Sequence, residues 1–267
     1  MVSLHSEKNF TVINHIVVAV GLCPQHFCGD NGGAFFGFKS FNTSPHLLVD
    51  KINHSLEGDG RKPIRDQYSI KIENLGDVNI VFILGSQSMI SCFPVLNSQS
   101  QMSFESKVIN EWVHVDSVEA QISGKGKEMI GLNFFATDYL ENKQLYQSTP
   151  KLEISFSAFA YVMKKSDKLP DNFSDEFVAF MPNTEGNDPT LYDFFGKVIF
   201  FRQYECEGIR GFIVKTKLIN HEKDEDFFVI DMFINEENLR VDTLKNGMRI
   251  SGCFWLQGKI VGDNTIE

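Results

Sequence analysis

The C-terminal part of the chain, residues 193–261, contains several runs rich in apolar side chains that can be read with a period of two. Successive side chains of a β-strand point to opposite faces, so each such run can place one face on a core. The runs are 197–204, 212–218, 228–234 and 248–256. Between the last two, Asn246-Gly247 marks a turn, because both residues tolerate positive φ. The pattern predicts four or five short strands.

The glycines of this segment suggest how the strands close. Gly252 lies inside the last run, and a glycine there often marks a bulge or a sharp bend, which small closed barrels need. A strand after Gly196, two long alternating strands, a short helical insert at 235–238 and a closing strand follow in order. That order resembles an OB-fold. The closing Gly-Cys-Phe-Trp-Leu-Gln-Gly, 252–258, is also similar to the C-terminal part of bacterial proteins that end in a Trp-Leu-Gln-Gly segment. The resemblance implies a small β-barrel and carries no known activity.

Strand patterns also dominate the preceding part of the chain. Alternating runs at 68–72 and 78–84 flank a turn and predict a β-hairpin, and 152–162 alternates throughout. The polar, Ser- and Gln-rich segment 97–106 is predicted to be a loop, and a short helix is predicted to start near Thr137 or Asp138. The fold class is therefore predicted to be mainly β with a small α contribution, in two β sub-structures, the C-terminal one an OB-like small barrel.

The domain organisation follows from composition. Residues 166–192 hold three prolines and a run of polar residues, which is typical of a linker. We expect a β-rich N-terminal region at 1–165 with a sub-boundary near 97–110, then this linker, then the OB-like barrel at 193–267. A further hypothesis is that 112–163 and 197–261 form two related small barrels, since each combines strands, a glycine turn and a short helical insert.

Charge and composition narrow the classes of function. The net charge of −10 argues against a broad nucleic-acid footprint, which needs clustered Lys and Arg. The apolar stretch 16–22 is short for a signal peptide and no small-residue cleavage site follows it, so 11–20 is predicted to be a buried strand. The odd number of cysteines, five, is more typical of reduced thiols than of a disulfide framework. These features predict a cytoplasmic protein with no membrane segment.

One loop carries metal-ligand residue types: Cys23, His26, Cys28 and Asp30. Zinc sites use such ligands, but a structural site normally draws on two separated ligand pairs, and no second pair follows at the usual distance. The pattern therefore predicts no metal, with these four residues as weak candidates. No nucleotide-binding or hydrolase motif has the required spacing, so we assign no catalytic residue and no cofactor.

The C-terminal barrel supplies the candidate ligand-binding residues. OB-type domains bind single strands by aromatic stacking beside basic side chains. Tyr204 and Trp255 offer rings, and Arg210, Lys215 and Arg249 offer positive charge. Acidic residues at 224–226, 231, 236 and 237 oppose that charge, which favours rings in the core and ordinary outward-facing bases.

These observations together favour a non-enzymatic binding or interaction protein whose partner is a protein or a small ligand. The first alternative is a single-stranded nucleic-acid-binding protein that uses the C-terminal barrel. The second alternative is a metal-dependent enzyme centred on the loop 23–30.

Overall fold

Strands dominate the computed structural model, which confirms the predicted mainly β class. It describes residues 60–65, 67–86, 89–112, 117–166, 176–184, 188–221 and 227–262. Within these ranges there is one α-helix, α1 (Tyr139–Ser148). No helix in the described ranges has the length and apolar character needed to span a membrane.

The fourteen strands of the described chain are numbered in order. They are β1 (Lys62–Arg65), β2 (Tyr68–Leu75), β3 (Val78–Leu84), β4 (Met89–Leu96), β5 (Gln101–Glu111), β6 (Ala120–Lys125), β7 (Gly131–Ala136), β8 (Lys151–Lys165), β9 (Ala179–Pro182), β10 (Leu191–Cys206), β11 (Ile209–Ile219), β12 (Phe228–Asn235), β13 (Leu239–Arg240) and β14 (Arg249–Ile260).

The chain divides into two compact units, Met1–Val95 and Leu96–Glu267. The first contains a four-stranded sheet in the order β1-β2-β3-β4, in which β2 pairs antiparallel with β1 and β3. The predicted hairpin is present as β2 and β3, and the Asn74 side chain accepts a hydrogen bond from the Gly76 amide in its turn. The predicted strand at 11–20 and the loop 23–30 lie outside the described residues.

The second unit is built on a ten-stranded sheet. Its central feature is the antiparallel pairing of β8 with β14, which runs from Ile154 opposite Ile260 to Lys165 opposite Ile250. We call this pair of strands the ribbon. The two strands come from opposite sides of the predicted linker 166–192, and β9 lies within that segment.

Two closed circuits of strand pairing share the ribbon. In the first, β5, β6 and β7 form an antiparallel meander, β5 pairs antiparallel with β8, and β7 pairs parallel with β14. In the second, β10, β11 and β12 form the meander, β10 pairs antiparallel with β14, and β12 pairs parallel with β8. Each half therefore closes on the final strand of the other half. The likeness of this arrangement to an OB-fold stays a prediction.

One apolar core fills the inner faces of both circuits. The alternation in β12 and β14 has the predicted sense, because Ile230 and Met232, like Ile250 and Phe254, are fully buried in it. Phenylalanines join the two halves: Phe156 of the ribbon contacts Phe134 from the first circuit and Phe228 from the second, with ring centroids 5.2 and 6.2 Å apart. The sequence has 25 phenylalanines, and most of those in the described ranges are buried in the sheet cores.

Strand β5 corrects the prediction of a loop at 97–106 for residues 101–106, whereas residues 97–100 form a loop as predicted. Met102 and Phe104 alternate with Gln101, Ser103 and Glu105, and only the two apolar side chains are buried. Gln101 and Glu105 are exposed on the outer face of the sheet, and Ser103 between them is half-buried. Because the segment is mainly polar in composition, the sequence analysis did not identify it as a half-buried strand.

The predicted helix near residue 137 is present as α1, and it is anchored by the half-buried Asp138. Asp138 occupies the N-cap position but makes no side-chain cap hydrogen bond. Its carboxylate instead accepts from the Tyr146 hydroxyl at 2.7 Å, the Asn142 amide at 2.7 Å and the Ile260 backbone N–H at 2.9 Å. Desolvation by burial raises the pKa of Asp138 above its ordinary value, although these donors oppose the shift. The contact fastens the helix to the end of β14.

A second polar cluster fixes the outer side of the helix. Glu111, at the end of β5, accepts from the Tyr139 hydroxyl at 2.5 Å and the Gln147 amide at 3.1 Å, and pairs with Lys143 at 2.7 Å. Desolvation raises the pKa of Glu111, but the hydrogen bonds from Lys143 and Tyr139 outweigh it and leave the pKa below 4.5.

Substitution of Gly252 tests how closely the two ribbon strands approach each other. A Cβ at this position would lie 1.9 Å from the Val162 carbonyl oxygen, and the register of the ribbon shifts next to it, between Cys253 and Phe254. We expect Gly252→Ala to lower the free energy of unfolding by about 2 kcal/mol or more, because backbone cannot yield as a side chain can. Gly131→Ala is the matched control, since no atom lies within 4 Å of a Cβ there. Equal urea midpoints for the two variants would contradict the proposed packing.

The Glu111 cluster predicts a pH dependence. Because folding lowers the pKa of Glu111, its contribution to stability is present above its ordinary value of 4.5 and is lost as the pH falls through the folded-state pKa. In Glu111→Gln, the loss of stability between pH 6 and pH 3 should be smaller than in the wild type. Urea unfolding across that range measures it, and parallel pH profiles would exclude this role for Glu111.

Candidate functional site

A cleft of about 540 Å³ lies in the first circuit, beside the start of β8. Its lining comes from the beginning of β5, the end of β6, the β6–β7 turn, the first residues of β8 and Phe227. We call it the lysine cleft. Its lining residues are Gln101, Met102, Ser103, Glu105, Lys125, Gly126, Lys127, Met129, Lys151, Glu153 and Phe227.

Strand register places the charges of the cleft side by side. Glu105 is paired with Lys125 of β6 on one side and with Lys151 of β8 on the other. Residues directly opposite each other in antiparallel strands share a face, so the three side chains form one row. Lys127 adds a third ammonium group and Glu153 a second carboxylate, which leaves the lining with a small excess of positive charge.

Phe227 gives the cleft an apolar wall. Its ring is buried and stacks on the His221 imidazole with centroids 4.6 Å apart. The Lys127 ammonium lies 5.4 Å from the same ring centroid, a cation–π distance. Met102 and Met129 add flexible thioether side chains, and methionine adapts readily to the shape of a ligand. The cleft thus combines cations with an aromatic and thioether surface.

The turn at the rim of the cleft has an unusual backbone. The sequence Ser123-Gly-Lys-Gly-Lys127 predicts a hairpin turn, and the structure has one, closed by a short 3₁₀ segment at Lys127–Met129. Glu128 and Met129 have φ of 52° and 64°, a left-handed conformation that disfavours residues other than glycine. Strained residues of this kind cluster at ligand sites, where surrounding structure holds them. Met129 is also 61% exposed.

The two predicted aromatic ligand residues lie in buried positions. Trp255 is fully buried and packs on Phe135 with centroids 5.1 Å apart. Tyr204 is 5% exposed and meets Phe233 edge to face at 5.3 Å. Stacking of a base on either ring would require it to become exposed.

The three predicted basic residues lie on different parts of the second circuit. Arg210 is exposed and pairs with Glu236 at 2.5 Å. Lys215 is exposed on β11, opposite Asp231 of β12. Arg249 is half-buried at the start of β14, opposite Lys197 of β10. Their role in binding a ligand stays a prediction.

Metal-ligand chemistry is sparse in the described ranges. They contain no group of three or more His, Cys, Asp and Glu residues that could hold a metal ion. Three cysteines lie in those ranges, Cys92, Cys206 and Cys253, and none of them forms a disulfide. The weak candidates Cys23, His26, Cys28 and Asp30 lie outside the described residues, so the absence of a metal site there stays a prediction.

Most of the lysine cleft was missed from the sequence. Lys125 at the end of β6 and Lys127 in the following turn belong to a recognisable Gly-Lys-Gly-Lys motif, but Glu105 and Lys151 join them only through strand register. The sequence signal in this region was limited to the strand-like runs of residues before and after that turn. Which strands become neighbours was not encoded in any local motif.

Comparison with known proteins gives no relative: no protein-family model, curated protein or solved structure matches the chain. The candidate site therefore depends on the geometry of the described residues.

The strained turn can be tested by substitution. Glu128→Gly should raise the free energy of unfolding by about 0.5 to 1 kcal/mol, because glycine relieves the left-handed conformation and its added unfolded-state entropy offsets only part of the gain. Lys127→Gly is the control, since Lys127 is not among the described residues with positive φ, and there glycine should destabilise. Thermal unfolding measures both, and destabilisation by Glu128→Gly would contradict the assigned backbone conformation.

Proposed function

We propose that the protein is a non-enzymatic binding module and that its ligand is a small amphipathic anion held in the lysine cleft. The observation that carries the proposal is the composition of the cleft lining, which combines Lys125, Lys127 and Lys151 with the exposed Met129 and the largely buried Met102 and Phe227. The ammonium groups suit a carboxylate or similar head group, and the apolar surface suits a ring or a short chain.

The size of the cleft supports this ligand class. Its volume of about 540 Å³ falls within the range of roughly 300 to 1,000 Å³ that is usual for small-molecule sites. Glu105 and Glu153 reduce the positive charge, which disfavours a highly charged polyanion and favours a ligand with one acidic group. The strained Glu128–Met129 backbone adds support, because it fixes an exposed methionine at the rim.

Within the described ranges, we propose no catalytic residue and no cofactor site. The two strongest polar clusters there, around Asp138 and Glu111, fasten the helix to the sheet and lie outside the cleft lining. We include a cytoplasmic location in the proposal, supported by the odd number of cysteines.

Methionine methyl NMR tests the proposal directly. The chain has 8 methionines, of which Met102 and Met129 line the cleft while Met163 and Met232 are fully buried in the core. With 2-naphthoate as the probe, the methyl signals of Met102 and Met129 should shift saturably, and those of Met163 and Met232 should stay unchanged.

Charge variants complete the experiment. Lys125→Gln combined with Lys151→Gln should weaken 2-naphthoate binding by about fivefold to tenfold, since each partly exposed cation contributes up to about 1 kcal/mol. Lys245→Gln is the matched control, because Lys245 is exposed and outside the cleft lining. No saturable shift, or equal shifts in all four methionines, would overturn the proposal.

A further inference from the structure

The outer face of the second circuit carries three cations in one cross-strand row. Lys197 of β10 is paired with Lys217 of β11 and with Arg249 of β14. Their chain neighbours Val198 and Ile250 are buried in the core, so the row faces away from it. We call Lys217, Lys197 and Arg249 the basic row.

A carboxylate from another part of the chain occupies the basic row. The two Glu176 carboxylate oxygens accept from the Lys197 ammonium at 2.7 and 3.0 Å. The hydrogen bond from Lys197, with the charges of Lys217 and Arg249, lowers the pKa of Glu176. The Asn220 side-chain amide donates to the Glu176 backbone carbonyl as well. Glu176 thus shows where an oxyanion sits among the three cations.

The first circuit has an equivalent row with a different arrangement of charges. There the central position, on the first strand of the meander, is Glu105, flanked by Lys125 and Lys151. In the second circuit the central position is Lys197, and the compensating carboxylate comes from a residue 21 positions earlier in the chain. In the basic row, neither cross-strand partner of Lys197 is a carboxylate.

The Glu176 contact is exposed enough to be exchanged. Its side chain is 66% exposed and that of Lys197 32%. Ion pairs at such positions contribute little to stability, so an external anion needs only modest affinity to compete with them. The overall charge of −10 disfavours a long polyanion and leaves a single acidic group as the matching ligand.

We propose that the basic row is an oxyanion-binding site, and that Glu176 is an internal occupant which the carboxylate or phosphate group of a ligand displaces. The site is separate from the lysine cleft, because none of Lys197, Lys217 and Arg249 belongs to the cleft lining. It does not depend on the proposed function of the cleft.

Isothermal titration calorimetry with sodium phosphate and with sodium succinate, at constant ionic strength, tests the site. Glu176→Gln removes the internal competitor and should bind at least one of the two anions about threefold more tightly than the wild type, or better. The anion that binds more tightly identifies the group that the site prefers. Adding Lys197→Gln to Glu176→Gln should abolish the gain.

Glu236→Gln is the matched control, because it also removes a carboxylate from an exposed ion pair, the one with Arg210, away from the basic row. It should bind both anions as the wild type does. Unchanged urea midpoints verify that the variants are folded. The proposal is overturned if Glu176→Gln gains no affinity for either anion, if the gain survives Lys197→Gln, or if Glu236→Gln shows the same gain.

Discussion

The pairing of β8 with β14 is the interaction on which the rest of the second unit depends. Eleven residue pairs join the two strands, and each strand also provides the parallel neighbour that closes the opposite meander. Parallel pairing cannot be made by a tight hairpin, so the two halves must meet before either circuit is complete. The close approach at Gly252 and the phenylalanine contacts across Phe156 follow from this requirement.

Each of the two ribbon strands places one of the proposed binding surfaces. The lysine cleft forms because β8 brings Lys151 beside Glu105 of β5, and the basic row forms because β14 brings Arg249 beside Lys197 of β10. The two rows occupy equivalent positions in the two circuits but differ at the centre, where one has a glutamate and the other a lysine. A repeated arrangement of strands thus supports two surfaces with different chemistry.

The sequence predicts those parts of the fold that depend on local patterns. Alternation identified β11, β12 and β14 and their inward faces, and the glycine at 252 was expected to mark an irregularity, which the register shift beside it provides. Strand β5 was missed because its outer face is Ser, Gln and Glu, so the average composition resembles a loop. The pairing of β8 with β14 was not predictable, because partners this far apart in the chain leave no local signal.

The candidate site was harder to predict than the fold for the same reason. Tyr204 and Trp255 have residue types suited to stacking, yet burial depends on which strands cover them. The charges of the lysine cleft belong to three strands and one turn, and only strand register unites them. Among the features of the site, the Ser123–Lys127 turn alone had a local signature, and even there the positive φ of Glu128 and Met129 had no sign in the sequence.

Native-state hydrogen exchange tests the central claim, that the two circuits form one cooperative structure through the ribbon. If they do, core amides in β6 of the first circuit and β12 of the second should open with free energies within about 1 kcal/mol of each other, and close to those of β8 and β14. A second circuit that opens at a much lower free energy while β5 to β8 stay protected would contradict the account.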